Sequence, residues 1–217
     1  MIWVYAVCER PEKWAPRGHG LAQAPLEGII ERQLLAVVTR HPQTPAGPAP
    51  DALWEHERVV ERLMAERAVL PMRFGTTLPE ADALRAALAA RHAELLAALE
   101  RVRRRVELGV RAVDIAGSSP PPTTPPANGR EYLLAKLAHN TGAERTAESL
   151  HRPLAALAVD GRCHPVHRPR EVLRGSYLVD RAEVPAFRVA VERLQRERPA
   201  VALLCTGPWP PYSFVPR

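Results

Sequence analysis

The sequence predicts an α+β protein of two domains, and three observations carry that expectation. Strand-like runs of β-branched and aromatic residues alternate with stretches whose leucines recur at helical spacing. Apolar residues make up 46% of the chain but aromatics only 5%, so the interior must be built mostly from Ala, Leu and Val, which favours helices. At 217 residues the chain is long enough for two small domains that each bury a core. A boundary near residue 103 gives halves of sensible size, 1–103 and 104–217.

Ile2 to Val7 reads as a buried strand, ended by the polar, Pro-containing segment that begins at Glu9. Ile29, Ile30 and Leu34 to Val38 read as one or two further strands, stopped by prolines at 42, 45, 48 and 50. Asp51 is a plausible N-cap for "ALWEHERVVERLMAERA", where Leu53, Val60, Leu63 and Met64 form an apolar stripe against Glu55, Arg58, Glu61 and Arg62. "VLPMRFGTT" interrupts. A second amphipathic helix is expected from about Pro79 to Val102, with Leu84, Leu88, Leu95 and Leu99 on one face.

"VELGVRAVDI" alternates as a strand does, and the Pro-, Ser- and Gly-rich run after it reads as an exposed loop. A helix from about Arg130 to Val159 then carries Leu133, Leu137, Leu150, Leu154 and Leu157, with a bend near Gly142. "GSYLVDRA" reads as a strand, Pro185 opens a helix, and "AVALLC" is the last strand, followed by a tail that is neither strand nor helix. Strand, long helix, strand, helix, strand suits an antiparallel sheet with helices on one face.

Charge and chemistry narrow the function. The net charge is +6, and of 30 basic residues only Lys13 and Lys136 are lysines, so arginine spread along the chain carries the excess. No apolar run approaches the ~18 residues of a membrane span, and the N-terminus lacks the basic region of a secretory signal. A soluble, cytoplasmic protein is expected. Its three cysteines, Cys8, Cys163 and Cys205, share no spacing and fit reduced thiols.

"RCHPVHRPR" offers Cys163, His164 and His167 as soft ligands, with Cys205 far away. That falls short of the four spaced ligands of a structural zinc site, and a solvated loop is the simpler reading. His56 and His92 fit hydrogen-bonded residues at the boundary of apolar stripes, and Asp51, Glu55 and Glu57 fit a solvated helix start. Phosphate-loop, dinucleotide and nucleophile-elbow motifs are missing. No catalytic centre, cofactor or metal is therefore expected. The one basic cluster, "RVRRR" at 101–105, reads as a solvated helix end without the interleaved aromatics that nucleic-acid binding favours. A basic nucleic-acid binder, or a small-molecule enzyme resting on His56 and its acidic neighbours, remain the alternatives.

Two segments resist a bland account. "VLPMRFGT" places Arg73 and Phe74 where polar turn residues would be the default, and "GPWPPYSF" places Trp209, Pro210, Pro211, Tyr212 and Phe214 after a strand. Each either packs locally or forms a contact surface. Phe74, set between two helices, is the member expected to be structural; in the tail, Trp209 is expected to be partly buried, and Tyr212 and Phe214 more exposed.

The first-strand "YAV", "GIIERQLLAVVTRH", "HERVVERLMAERAVLPMRFGTT" and the terminal "GPWPPYSFV", in that order, resemble the gas vesicle accessory proteins of the GvpL/GvpF family along nearly the whole chain. "RPEKWAPRGHGLAQAP" and the loop at 117–128 match nothing in that pattern. The resemblance implies a non-enzymatic protein of two α+β domains, the second ferredoxin-like, that helps to build the gas-filled shell. It implies as partners the small hydrophobic major shell protein and other gas vesicle accessory proteins, with no membrane or nucleic acid involved. A location in the cytoplasm or at the gas vesicle follows. Arg73, Phe74, Trp209, Pro210, Pro211, Tyr212 and Phe214 become the candidate partner-binding residues, since a rigid Pro-framed aromatic tail offers apolar area at little entropic cost.

Overall fold

β-Branched and aromatic residues fill strand β1 (Ile2–Glu9), and all but its last residue are buried, as a central strand requires. The structure is a computed structural model that describes residues 1–12, 17–42, 49–116, 144–164, 166 and 170–216. It divides into two units: Met1–Val106 with Trp209–Arg217, and Glu107–Pro208.

In the first unit β1 pairs antiparallel with β3 (Leu34–Arg40), which pairs with β2 (Glu27–Glu31). Val4 lies opposite Val38 and Ala6 opposite Val37, so Tyr5 is an extra residue in the ladder, a bulge that re-aims its ring. The other edge of β1 meets β4 (Leu70–Pro71) and β5 (Thr77–Leu78). "VLPMRFGTT" is thus an edge strand interrupted by a looped excursion. The Met72 amide donates to the Tyr5 carbonyl at 2.8 Å and the Val4 amide to the Thr76 carbonyl at 3.0 Å, which closes the excursion at both ends. Gly75, at φ +90°, supplies the left-handed turn inside it.

Helix α1 (Pro50–Glu66) has Ala49 as its N-cap and Pro50 in its first turn. Proline's fixed φ starts the helix, so Asp51 is not the expected cap but a first-turn acid favoured by the helix dipole. Its buried stripe is His56, Val59, Val60 and Leu63. Leu53 is 43% exposed, because contact with the sheet begins one turn later. The single helix expected over 79–102 is two, α2 (Ala81–Ala90) and α3 (His92–Val102), which meet at a non-helical Arg91. No proline or glycine marks that break. The leucine stripe persists across it, with Leu84, Leu88, Leu95 and Leu99 all buried.

The second unit takes β6 (Arg105–Asp114), α4 (144–155), β7 (Asp160–Cys163), β8 (Glu171–Asp180), α5 (Val184–Glu197) and β9 (Val201–Trp209). Strand order β7-β8-β6-β9 with this β-α-β-β-α-β succession is the ferredoxin-like arrangement. The core lies under the helices: Leu150 and Leu154 of α4 and Phe187, Val191 and Leu194 of α5 pack on Leu108, Val110, Tyr177 and Val179. Leu157 is 45% exposed because α4 ends before it. The expected Leu133, Leu137, the bend at Gly142 and the loop at 117–128 lie outside the described residues.

Two strands differ from expectation. β7 is a four-residue edge strand, "DGRC", whose polar composition carries no alternating signal. β9 runs on through Gly207 and Pro208 to Trp209, so the start of the tail is strand after all. As a terminal strand of the sheet it can accept a proline. Helix α5 serves its backbone: Gln195 Nε2 donates to the Val201 carbonyl at 2.7 Å, its Oε1 accepts from the Leu203 amide at 2.6 Å, and Arg188 donates to the Gly207 carbonyl at 2.7 Å.

Candidate partner-binding site

The two aromatic segments singled out by sequence meet the first unit in different ways. Phe74 turns inward from the looped excursion. Its ring packs edge-on against Trp3 with centroids 4.8 Å apart and against His56 at 5.8 Å. Tyr5, displaced by the bulge, stacks on His56 at 5.1 Å. Phe74 is thus a half-buried structural plug, as its place between two helices suggested, and Arg73 beside it is exposed.

His56 is the centre of this cluster and is fully buried, not a boundary residue. Its Nδ1 accepts from the Trp3 indole N–H at 3.0 Å, which fixes the proton on Nε2, and Nε2 donates to the Met72 carbonyl at 2.9 Å. Both nitrogens are used, and burial pushes the ring's pKa down, so the imidazole is a neutral structural link. The small-molecule enzyme alternative loses its base here. Tyr5 completes the polar seam: its hydroxyl accepts from the Leu21 amide at 2.7 Å and lies 3.1 Å from Thr39 Oγ1.

In the tail the expected order of exposure is reversed. Trp209 is 43% exposed, whereas Phe214 is buried and Pro210 and Pro211 are buried with it. Tyr212 is half-buried, and its hydroxyl donates to Glu57 of α1 at 2.8 Å. Burial raises the Tyr212 pKa, and the Glu57 charge raises it further. Burial also lifts the Glu57 carboxyl above its usual range, partly offset by the hydrogen bond from Tyr212. The physical reason for the reversal is that Phe214 lacks any polar group needing water, while the Tyr212 hydroxyl found a partner on α1. The tail and the looped excursion therefore engage α1 at successive residues, Glu57 and His56.

Of the candidate contact residues only Arg73 and Trp209 stand exposed, with Phe74 and Tyr212 partly so. Sequence reading missed Trp54, 62% exposed on α1 beside the exposed Leu53. The signal was available, since Trp54 falls off the apolar stripe of that helix.

The other candidates resolve in place. Among the described residues no three His, Cys, Asp or Glu side chains gather as a metal site. Cys163 is exposed, His164 Nε2 lies 2.9 Å from Ser176 Oγ, and His167 lies outside the described residues. In the basic cluster, Arg103 pairs with Glu9 at 2.6 Å and Glu100 at 2.7 Å, and Arg105 donates to the Arg101 carbonyl. No helix of the described residues is long and apolar enough to cross a membrane.

Comparison with known proteins agrees with this architecture. Two crystal structures of gas vesicle protein GvpF share the fold along the whole chain: that from Microcystis aeruginosa superposes with a TM-score of 0.81, covering 100% of this chain and 99% of that one at 14% identity. That from Anabaena gives 0.81 at 15% identity and covers 100% and 98%. In sequence, a gas vesicle protein L from a Streptomyces strain is 30% identical over 249 aligned positions, covering 98% of this chain and 92% of the relative. The model of the family described as gas vesicle synthesis protein GvpL/GvpF matches residues 1–216, and with that match the chain belongs to the GvpL/GvpF family.

Proposed function

We propose that the chain is a non-enzymatic gas vesicle accessory protein that binds the hydrophobic major shell subunit and other gas vesicle proteins and supports vesicle assembly. It works in the cytoplasm, where the vesicle forms. The observation that carries this reading is the family match over residues 1–216. The surface is compatible with it, because Trp54, Leu53 and Trp209 stand exposed on a unit in which Trp3, Tyr5 and Phe214 are buried. Exposed aromatic anchors are the residues that dominate protein interfaces, and a hydrophobic subunit awaiting assembly needs its apolar surface covered.

The test is capture of the major shell subunit by the purified chain, alongside melting curves. The parent should capture it. The Trp54→Ala and Trp209→Ala variants should melt as the parent does and capture less, since a buried aromatic anchor is worth ~2 kcal/mol or more at an interface. A parent that captures no shell subunit overturns the reading; folded variants that capture as well as the parent overturn the role of these two residues.

A further inference from the structure

The four-stranded sheet of the second unit has a second face. Leu108, Val110 and Ala112 of β6, Tyr177 and Val179 of β8, and Val201, Leu203 and Cys205 of β9 turn toward the helices. Successive side chains on a strand point to opposite faces, so Gly109, Arg111 and Val113, with Ser176, Leu204 and Thr206, project from the other side. A cleft of about 410 Å³ lies there, lined by Gly109, Arg111, His164, Arg174, Ser176 and Thr206 with two neighbours.

The cleft depends on a missing side chain, since a Cβ at Gly109 would stand 2.9 Å from Thr206 Oγ1. His164 and Ser176, joined at 2.9 Å, form one wall. Arg111 is 41% exposed and only loosely paired with Glu171, at 3.8 Å. Arg174 makes no ion pair or side-chain hydrogen bond among the described residues, and no carboxylate lines the cleft. Two guanidinium groups thus face the cleft, while the Thr206 hydroxyl donates to the Gly109 carbonyl at 3.4 Å and Ser176 is held by His164. On the same face Leu204 is 58% exposed and Val113 36%.

We propose that this cleft docks an acidic segment of a partner protein. Arg174 and Arg111 hold a carboxylate side chain, and an adjacent apolar side chain of the same segment lies on Leu204 and Val113. Guanidinium matches a carboxylate in planar, charge-assisted geometry. A free oxyanion is the poorer occupant: a water takes ~30 Å³, so the cleft has room for many times one small ion, and Leu204 and Val113, exposed on the same face, offer such an ion nothing. The inference deepens the reading of the chain as a binding protein in vesicle assembly.

The experiment uses the full chain and a fluorescent eight-residue peptide of alternating Glu and Leu, read by anisotropy. The parent should bind it, and more weakly as salt rises. The Gln/Leu version of the peptide and the Arg174→Gln protein should each bind about tenfold more weakly, the effect of losing one charged partner. Gly109→Ala, which fills the cleft, should weaken binding likewise; should it fail to fold, Arg174→Gln still decides. Arg85→Gln, whose guanidinium pairs with Asp82 on α2, should bind as the parent does. No binding by the parent, equal binding of both peptides, parent-like binding by Arg174→Gln, or inorganic phosphate binding as tightly as the peptide would each overturn the proposal. Shell-subunit capture, read in parallel, bears on the wider function alone, so the two failures are told apart.

Discussion

The hydroxyl of Tyr212 donates to the Glu57 carboxylate at 2.8 Å, so the end of the chain is fastened to the helix that begins at Pro50. Removing the donor in Tyr212→Phe should cost about 1 kcal/mol, toward the low end for a hydrogen bond to a charged group because the pair is half-exposed. It should also move the Glu57 titration upward, since this hydrogen bond is what opposes burial. Carboxyl carbon NMR across pH checks both the residue and the direction. An unmoved Glu57 would show that the contact does not persist in solution.

Phe214 and Trp209 should separate stability from binding. Phe214→Ala removes a buried ring and should cost roughly 3–5 kcal/mol, the range for a large aromatic deleted from a core. Trp209→Ala, at a site 43% exposed, should change the unfolding free energy by no more than about 0.5 kcal/mol. Denaturant melts of the two single variants distinguish them. Equal losses would mean that the tail docks as one rigid piece.

Stability should fall on acidification through His56. Burial sets its folded pKa below the ordinary 6.5, so the unfolded chain takes up the proton more readily. The sign follows: the contribution is fully present above about pH 6.5 and is lost as pH falls from there toward the lowered folded value. His41, lowered by burial and by the N-terminal amine, adds in the same direction. Unfolding free energies at pH 7.5 and 5.5 should differ, and by less in His56→Gln.

The three thiols should react in order of access. Cys8 is buried and its thiol is pushed up to about 11, which leaves on the order of one thiolate in a thousand at pH 8. Cys163 is exposed and Cys205 intermediate. Alkylation of the native protein followed by mass spectrometry should label Cys163 first and Cys8 only on unfolding. Early labelling of Cys8 would mean that β1 opens locally.

Much of this fold was legible because apolar periodicity is a local property. The strands around Tyr5 and Val37, the Leu84 to Leu99 stripe and the helix opened by Pro185 all follow from residues near in sequence. What was not legible depends on neighbours far away. The break at Arg91 has no local marker, and β7 is a strand only because β8 lies beside it to accept its hydrogen bonds. The candidate site divides in the same way. Composition alone marked "VLPMRFGT" and "GPWPPYSF" as unusual, but whether an aromatic faces in or out is decided by its partner. Glu57 is 155 residues from Tyr212, and Phe74 is held by Trp3 and His56.

The amide of Gln195 has a consequence for how copies of this protein coexist. With one donor and one acceptor set against the Leu203 amide and the Val201 carbonyl, it imitates the strand that β9 would otherwise recruit. Arg188 blunts the same margin farther along, at Gly207. For a molecule proposed to work where subunits are joining one another, the clasp withholds three backbone groups of this rim from a strand that a second copy could offer.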